Sequence, residues 1–123
     1  MRVLLLGKNG QLGWELCRTL APLGELHALD YPDIDFNRLD DLRKTVAEAH
    51  PDVIVNAVAY TDVDGAERER RACLQVNATA PGMLCEAARE LDAALVHYST
   101  DFVFDGGANR PYTEDDPPNP INY

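Results

Sequence analysis

Four short apolar runs separated by helix-like segments are the feature that most constrains the fold of this chain. The runs cover residues 2–6, 25–30, 52–59 and 93–100. The helix-patterned stretches cover residues 11–24, 39–50 and about 67–91, the last interrupted near Pro81. Strands without polar alternation are buried on both faces, and strands that alternate with helices form a parallel sheet. We therefore predict an α/β fold with a doubly wound, Rossmann-like parallel sheet, truncated after the fourth strand and the loop that begins at Asp101.

The order of the predicted strands bears on assembly. Doubly wound folds arrange their first strands as 3-2-1-4 before later strands join the fourth. The fourth strand of this chain would then lie at an edge of the sheet, and an apolar edge favours pairing with another chain. The sequence therefore predicts self-association.

Charge and cysteine content exclude several classes of partner. The formal net charge is −10, which disfavours binding to nucleic acid and to anionic membranes. No apolar run is long enough to span a bilayer or to form a signal-peptide core. Cys17, Cys73 and Cys85 lack C-x-x-C spacing and have apolar, helix-periodic neighbours. We therefore expect buried free thiols without a metal site, in a cytoplasmic protein.

A glycine-rich loop joins the first strand to the first helix. The segment "GKNGQLG" places glycines at positions 7, 10 and 13. In a dinucleotide fold, Gly7 permits the tight turn, Gly10 leaves room for a pyrophosphate, and Gly13 lets helix and strand pack closely. The backbone amides of Gln11 and Leu12 would then face the phosphates. The alternative is a glycine-rich turn that binds no ligand.

Asp30 ends the second predicted strand, where a dinucleotide fold places an acid that accepts the ribose hydroxyls. Its charge would disfavour a 2′-phosphate, so NADH should bind at least as well as NADPH. Lys8 or Arg38 could weaken that preference. The alternative is a solvated aspartate at the end of a strand.

Five motifs together resemble one enzyme family. They are "GKNGQLG" (7–13), "VNAVAYTDVDGAE" (55–67), "QVNATAPGMLCEAA" (75–88), "HYSTDFVFDG" (97–106) and "PPNPINY" (117–123). This set resembles the dTDP-4-dehydrorhamnose reductases, which belong to the extended short-chain dehydrogenase/reductases. The resemblance extends over essentially all 123 residues but only over the N-terminal part of the family's length. It implies that residues 1–123 form an incomplete NAD(P)-binding domain that lacks the C-terminal substrate domain.

The resemblance also implies roles for particular residues. Asp35 and Phe36 would flank the adenine, and Asn77 would shape the nicotinamide side of the site. Ala59, Tyr60 and Thr61 would line the cofactor. For Phe36 and Tyr60 the alternative is an ordinary packing role, since single aromatic residues near loops usually pack. His97 is expected to be a satisfied core histidine, and "EDDPP" (114–118) a solvated loop.

Reduction of a sugar 4-keto group needs a proton donor as well as NADH or NADPH. In the family a tyrosine donates the proton, a lysine four residues later lowers the pKa of that tyrosine, and a Ser or Thr hydrogen-bonds the carbonyl oxygen. Thr100 is the predicted hydroxyl, with Ser99 as the alternate; Thr100 could instead only cap the strand. Aligning "NPINY" with the family motif puts the catalytic tyrosine just beyond Tyr123, or else at Tyr123 itself.

The resemblance therefore implies an NAD(P)H-dependent reductase that converts dTDP-4-dehydro-rhamnose to dTDP-rhamnose. Without the lysine and the substrate domain, the 123-residue chain is expected to be inactive. One alternative is another nucleotide-sugar reductase or epimerase of the same extended family. Another is a catalytically silent, NADP-binding regulatory subunit of methionine adenosyltransferase.

Overall fold

The computed structural model describes residues 1–123. Four strands are present: β1 (Arg2–Leu6), β2 (Glu25–Leu29), β3 (Val53–Asn56) and β4 (Ala94–His97). The α-helices are α1 (Gln11–Leu20), α2 (Leu39–Ala49), α3 (Val63–Arg68), α4 (Arg70–Leu74) and α5 (Ala80–Glu90). A π-helical turn (Gln75–Thr79) joins α4 to α5, and 3₁₀ turns cover Ala21–Leu23 and Asp101–Val103. None of the helices has the length and apolarity that a membrane crossing requires.

All four strands are parallel, which confirms the predicted α/β fold, but the predicted strand order is wrong. The order is β2-β1-β3-β4, so β3 pairs with β1 and not with the outer side of β2. Burial explains the difference. Ile54 and Val55 of β3 are almost fully buried, whereas Glu25 and His27 give β2 an exposed polar face. The more apolar strand takes the central position, which must be covered on both faces.

The core lies on both faces of β1. Val3 and Leu5 pack under α1, where Leu16, Cys17 and Leu20 are partly buried against them. Leu4 and Leu6 point to the opposite face. The helices α2 and α5 cover that face with the buried side chains of Leu42, Val46, Leu84 and Ala88. Two successive crossovers therefore lie on opposite faces, which is the doubly wound arrangement.

Several side chains that were expected in the core are exposed. Leu12, in the first turn of α1, is 40% exposed. Only Cys73 is buried, while Cys17 is half-buried and Cys85 is exposed. His97 is also exposed, because β4 lies at the edge of the sheet. The expectation of a core histidine was therefore wrong.

The loop after β4 is ordered by two carboxylates, although four of the five residues of "EDDPP" are exposed, as expected of a solvated loop. Asp116 accepts both arms of the Arg110 guanidinium, at 2.8 and 2.6 Å, and its side chain is only 14% exposed. Asp105 accepts hydrogen bonds from the Gly107 amide at 2.8 Å, the Tyr112 hydroxyl at 2.7 Å and the Asn119 amide at 2.9 Å. These three bonds hold the pKa of Asp105 at about 2.

Candidate functional site

The candidate site lies where β1 and β3 end side by side. In open parallel sheets, ligands bind outside the carboxyl ends of strands at the point where the strand order reverses. Here β1 is that point, because the chain goes from β1 to β2 on one side and then returns to β3 on the other. The glycine loop leaves β1 at this edge, and the segment 57–61 leaves β3 beside it.

The glycine loop is shaped by close backbone contacts. Gly7 has φ +93°, a conformation that favours glycine, and its amide donates to the Leu29 carbonyl at 2.8 Å. A Cβ on Gly13 would lie 1.8 Å from the Gly7 carbonyl oxygen. The first helix can therefore approach the turn only with glycine at position 13, as the sequence predicted.

Gly10 differs from Gly7 and Gly13, because no contact within the protein requires glycine at position 10. Its φ is −72°, and a Cβ would find only the Gly7 oxygen, at an ordinary 3.6 Å. Gly10 is the N-cap of α1, and no side chain caps the helix. The amides of Gln11 and Leu12 are at the exposed helix end, where backbone donors have no intrahelical acceptor. The loop is therefore open where a pyrophosphate would approach, so a dinucleotide fits these residues.

Asp30 is fixed at the rim of the candidate site, between the end of β2 and the glycine loop. One carboxylate oxygen accepts the Asn9 amide at 2.8 Å, and the other accepts the Tyr31 amide at 2.7 Å. Each oxygen keeps a second lone pair for a ligand hydroxyl. The carboxylate thus faces the glycine loop, where the ribose role requires it, and that role stays a prediction.

The two cations that were considered near Asp30 both have carboxylate partners. Lys8 reaches from the glycine loop to Asp33 across the rim, with Nζ 3.1 Å from Oδ2. Arg38 pairs with Asp41 at the start of α2. Lys8 is therefore the cation that the structure ties to the rim.

The adenine-side residues have different surroundings. Asp35 closes a tight turn by accepting the backbone and side-chain amides of Asn37, at 2.8 and 3.0 Å. Phe36 is only 5% exposed and packs in the core with α2, so its ring is not a rim aromatic. Its carbonyl accepts from Gln75 at 3.3 Å. Phe36 offers little surface to an adenine, and the predicted contact remains untested for both residues.

Asn77 clamps the segment that follows β3. Its Oδ1 accepts the Tyr60 amide at 2.8 Å, and its Nδ2 donates to the Tyr60 carbonyl at 3.1 Å. Tyr60 is half-buried, and its neighbours Ala59 and Thr61 are exposed at the same edge of the sheet. The structure thus brings Ala59, Tyr60, Thr61 and Asn77 together, with Asn77 in a positioning role.

The Tyr60 hydroxyl is hydrogen-bonded to one acid. It donates to Glu69 Oε2 at 3.2 Å. Burial, followed by the hydrogen bond and charge of Glu69, raises the pKa of Tyr60. Tyr60 therefore stays a neutral phenol at physiological pH, and it anchors the segment to the start of α4.

Asn56 was not singled out from the sequence, although a lone amide in an apolar strand was a usable signal. It is 1% exposed, and its Oδ1 accepts the Val58 amide at 3.1 Å, which directs the chain out of β3. Its Nδ2 lies 3.2 Å from His97 Nδ1 on β4. Because the Val58 bond fixes the orientation of the amide, His97 Nδ1 accepts in this pair. Asn56 thus ties together the ends of β3 and β4.

Thr100 follows β4 and caps the 3₁₀ turn Asp101–Val103. Its hydroxyl oxygen accepts the Phe102 amide at 3.2 Å and lies 3.4 Å from Asp101 Oδ1. The cap uses one of the two acceptor lone pairs of the hydroxyl, and the 3.4 Å contact to Asp101 is long for an O–H···O bond, so the hydroxyl proton can turn toward a closer acceptor. Capping and the predicted carbonyl contact are therefore compatible, and the latter stays a prediction.

Tyr123 packs against α3 and the start of α4. Its amide donates to Glu67 Oε1 at 2.8 Å, and the Arg70 guanidinium lies 5.1 Å from the centre of its ring. The Tyr123 amide, followed by Arg70, lowers the pKa of Glu67. The end of the loop is thereby connected to the helix that follows Tyr60.

The chain matches the protein family described as RmlD substrate binding domain over residues 1–123. It is 48% identical over 122 residues to the dTDP-4-dehydrorhamnose reductase of Burkholderia thailandensis. That alignment covers 99% of this chain and 41% of the relative. The chain therefore spans about two fifths of the length of this curated relative.

Two solved structures share the fold. The dTDP-4-dehydrorhamnose reductase of Clostridium acetobutylicum superposes with a TM-score of 0.94 at 37% identity, over 99% of this chain and 44% of that one. The Bacillus anthracis dTDP-4-dehydrorhamnose reductase, solved in complex with NADP, superposes with a TM-score of 0.91 at 36% identity. That superposition covers 98% of this chain and 44% of the other. With a family match from its first residue to its last, this chain belongs to the RmlD substrate binding domain family.

Proposed function

We propose that residues 1–123 are the NAD(P)H-binding part of an enzyme that reduces the 4-keto group of dTDP-4-dehydro-rhamnose to give dTDP-rhamnose. The observation that carries this proposal is the likeness along the whole chain to relatives bearing that name. The geometry supports it, because the uncapped start of α1 and the open space at Gly10 suit a dinucleotide.

Each residue has a definable task in this proposal. The bound cofactor, NADH or NADPH, would supply the hydride. The Gln11 and Leu12 amides would hold its pyrophosphate, and Asp30 would accept its ribose hydroxyls. Thr100 would donate a hydrogen bond to the carbonyl oxygen of the sugar, which gains negative charge as reduction proceeds.

The proton donor would be a tyrosine at the end of the loop, either Tyr123 or the residue that the family motif places next. A lysine four residues later would complete the pair. The chain contains only Lys8 and Lys44, so these 123 residues do not hold that lysine. General acid catalysis commonly supplies about 10²–10⁴-fold, and substrate positioning supplies more. The 123-residue polypeptide should therefore bind cofactor without measurable turnover.

Two measurements test the proposal. Titration calorimetry of the 123-residue polypeptide should show NADH binding with a Kd in the micromolar to millimolar range, about −4 to −8 kcal/mol. Next, residues 1–123 would replace the corresponding part of the Burkholderia thailandensis enzyme. This chimaera should oxidise NADH when given dTDP-4-dehydro-rhamnose, and the Thr100→Val chimaera should be slower. Absence of NADH binding at millimolar concentration would overturn the cofactor site, and an inactive but folded chimaera would overturn the reductase function.

We also propose a cytoplasmic location and self-association. A reducing compartment suits three free cysteines.

The edge strand β4 and its continuation expose Val96 and Tyr98, both 42%, and Phe102, 54%. Apolar side chains along an unpaired strand edge favour pairing between copies. Light scattering at increasing concentration should show dimers or larger species, and a strictly monomeric solution would contradict this proposal.

A further inference from the structure

We propose that the Lys8–Asp33 ion pair controls whether this site accepts the 2′-phosphate that distinguishes NADPH from NADH. The proposal rests on the cofactor site proposed above. It assigns to Asp33 the role of a specificity-determining residue, which acts by holding the cation that a 2′-phosphate would need.

Backbone contacts fix the position of this pair. Lys8 follows Gly7 in the glycine loop, and its amide donates to the Leu29 carbonyl at 3.3 Å. The next residue, Asn9, donates its amide to Asp30. The base of the Lys8 side chain is therefore one residue from the contact that holds the predicted ribose acceptor.

The Lys8 side chain bridges two loops. Its Nζ lies 3.1 Å from Asp33 Oδ2, with the Lys8 side chain 34% exposed and the Asp33 side chain 53% exposed. Asp33 is only three residues after Asp30, on the loop that leaves β2. The ion pair therefore borders the same rim as Asp30, and both of its members are accessible to a ligand.

The charges at this rim disfavour a phosphate. Asp30 and Asp33 are both acids, and Lys8 is already paired. Asp35 is engaged with Asn37, and Arg38 with Asp41 at the start of α2. A 2′-phosphate could gain Lys8 only by displacing Asp33, which would leave the Asp33 carboxylate unpaired near the phosphate and Asp30. NADH, with a ribose hydroxyl at this position, requires no such exchange.

Removing the charge of Asp33 should therefore release Lys8 for the phosphate. In Asp33→Asn the cation loses its competitor and the phosphate loses one repelling charge. Interactions at an exposed rim are partly screened by solvent, so we expect a change of about five- to tenfold. The change should appear in the affinity for NADPH, while the affinity for NADH should hardly change.

Adenosine 2′,5′-bisphosphate and 5′-AMP are the sharpest probes, because they differ only in the 2′-phosphate. Their Kd values, and those of NADPH and NADH, would be measured by calorimetry on the 123-residue polypeptide at low and high salt. In Asp33→Asn the Kd ratio of bisphosphate to AMP should fall about five- to tenfold at 0.05 M salt. At 1 M salt, where the Debye length is about 3 Å, the fall should largely disappear.

Two control variants separate a local effect from a general one. Asp92→Asn removes the same charge in the turn before β4, at the opposite edge of the sheet, and should leave the ratio unchanged. In the double variant Lys8→Gln/Asp33→Asn most of the gain should be lost, because the released cation is absent.

An unchanged ratio in a folded Asp33→Asn variant that still binds NADH would overturn this inference and leave the proposed function standing. An equal fall in Asp92→Asn would overturn it as well, since net charge would then explain the effect. Failure of the wild-type polypeptide to bind any of the four ligands would overturn the proposed cofactor site itself.

Discussion

Replacing Gly13 by alanine should destabilise the fold, although alanine favours helices. The added Cβ would lie 1.8 Å from the Gly7 carbonyl oxygen and 2.6 Å from its carbon. These are backbone atoms, so no side chain can rotate away. The Gly7 carbonyl would have to move by more than an ångström, and it is the acceptor of the Gly10 amide at 3.2 Å.

The expected cost follows from three opposing terms. Overpacking typically costs about 1–3 kcal/mol, and loss of the Gly10–Gly7 hydrogen bond costs about 1 kcal/mol. Alanine in place of glycine in a helix returns about 1 kcal/mol. We therefore expect Gly13→Ala to lower the free energy of unfolding by about 1–3 kcal/mol, a large fraction of the roughly 5–15 kcal/mol of a domain.

Gly82→Ala is the matched control. Gly82 lies in α5, and a Cβ there would meet nothing within 4 Å, so only the helix preference of alanine should act. The free energy of unfolding of the Gly82→Ala variant should rise by up to about 1 kcal/mol. Urea unfolding measures both variants, and their midpoints should differ by about 1–2 M with similar slopes. A midpoint for Gly13→Ala at or above that of wild type would refute the reasoning.

Three further predictions follow from the site and the core. Gly10→Ser should fold normally, because serine is a good N-cap and its Cβ meets no atom closer than 3.6 Å. It should weaken NADH binding at least about tenfold by filling the pyrophosphate space; unchanged calorimetric affinity would contradict this. The depressed pKa of Asp105, about 2, means that its stabilisation is present above about pH 4 and lost as pH falls from about 4 toward 2. Near-UV circular dichroism of the stacked Phe104–Tyr112 pair should follow this loss, and Asp105→Asn should abolish that step. Leu84→Ala, at a fully buried position, should cost about 2–5 kcal/mol in urea unfolding, and a cost below 1 kcal/mol would contradict the assigned core.

Periodicity and glycine spacing predicted most of the fold. The apolar run at residues 2–6 became β1, and the helix-patterned stretch at residues 39–50 became α2, with Leu42 and Val46 on its buried face. Strand order could not be predicted in this way, because it depends on which strand best tolerates burial on both faces. That comparison favoured β3 over β2 only once their exposed and buried faces were known.

Residues of the site could be predicted where backbone geometry requires one residue type. They were harder to predict where their position depends on contacts between side chains from different loops. Gly7 and Gly13 follow from the turn and the helix approach, and both were predicted. The pairing of Lys8 with Asp33, and of Asn77 with the backbone of Tyr60, depends on loops that meet only in the folded chain. Sequence spacing carries little information about such contacts.

The amide clamp on Tyr60 has a consequence for amide hydrogen exchange. The Tyr60 N–H lies beyond the end of β3, in a segment without ladder partners, where exchange is ordinarily fast. Its acceptor is the side chain of Asn77, which is carried by the π-helical turn before α5. The bond can open only when that turn shifts or the Asn77 side chain rotates away. The Tyr60 amide should therefore exchange more slowly than a loop amide that has no acceptor, although it lies outside the sheet.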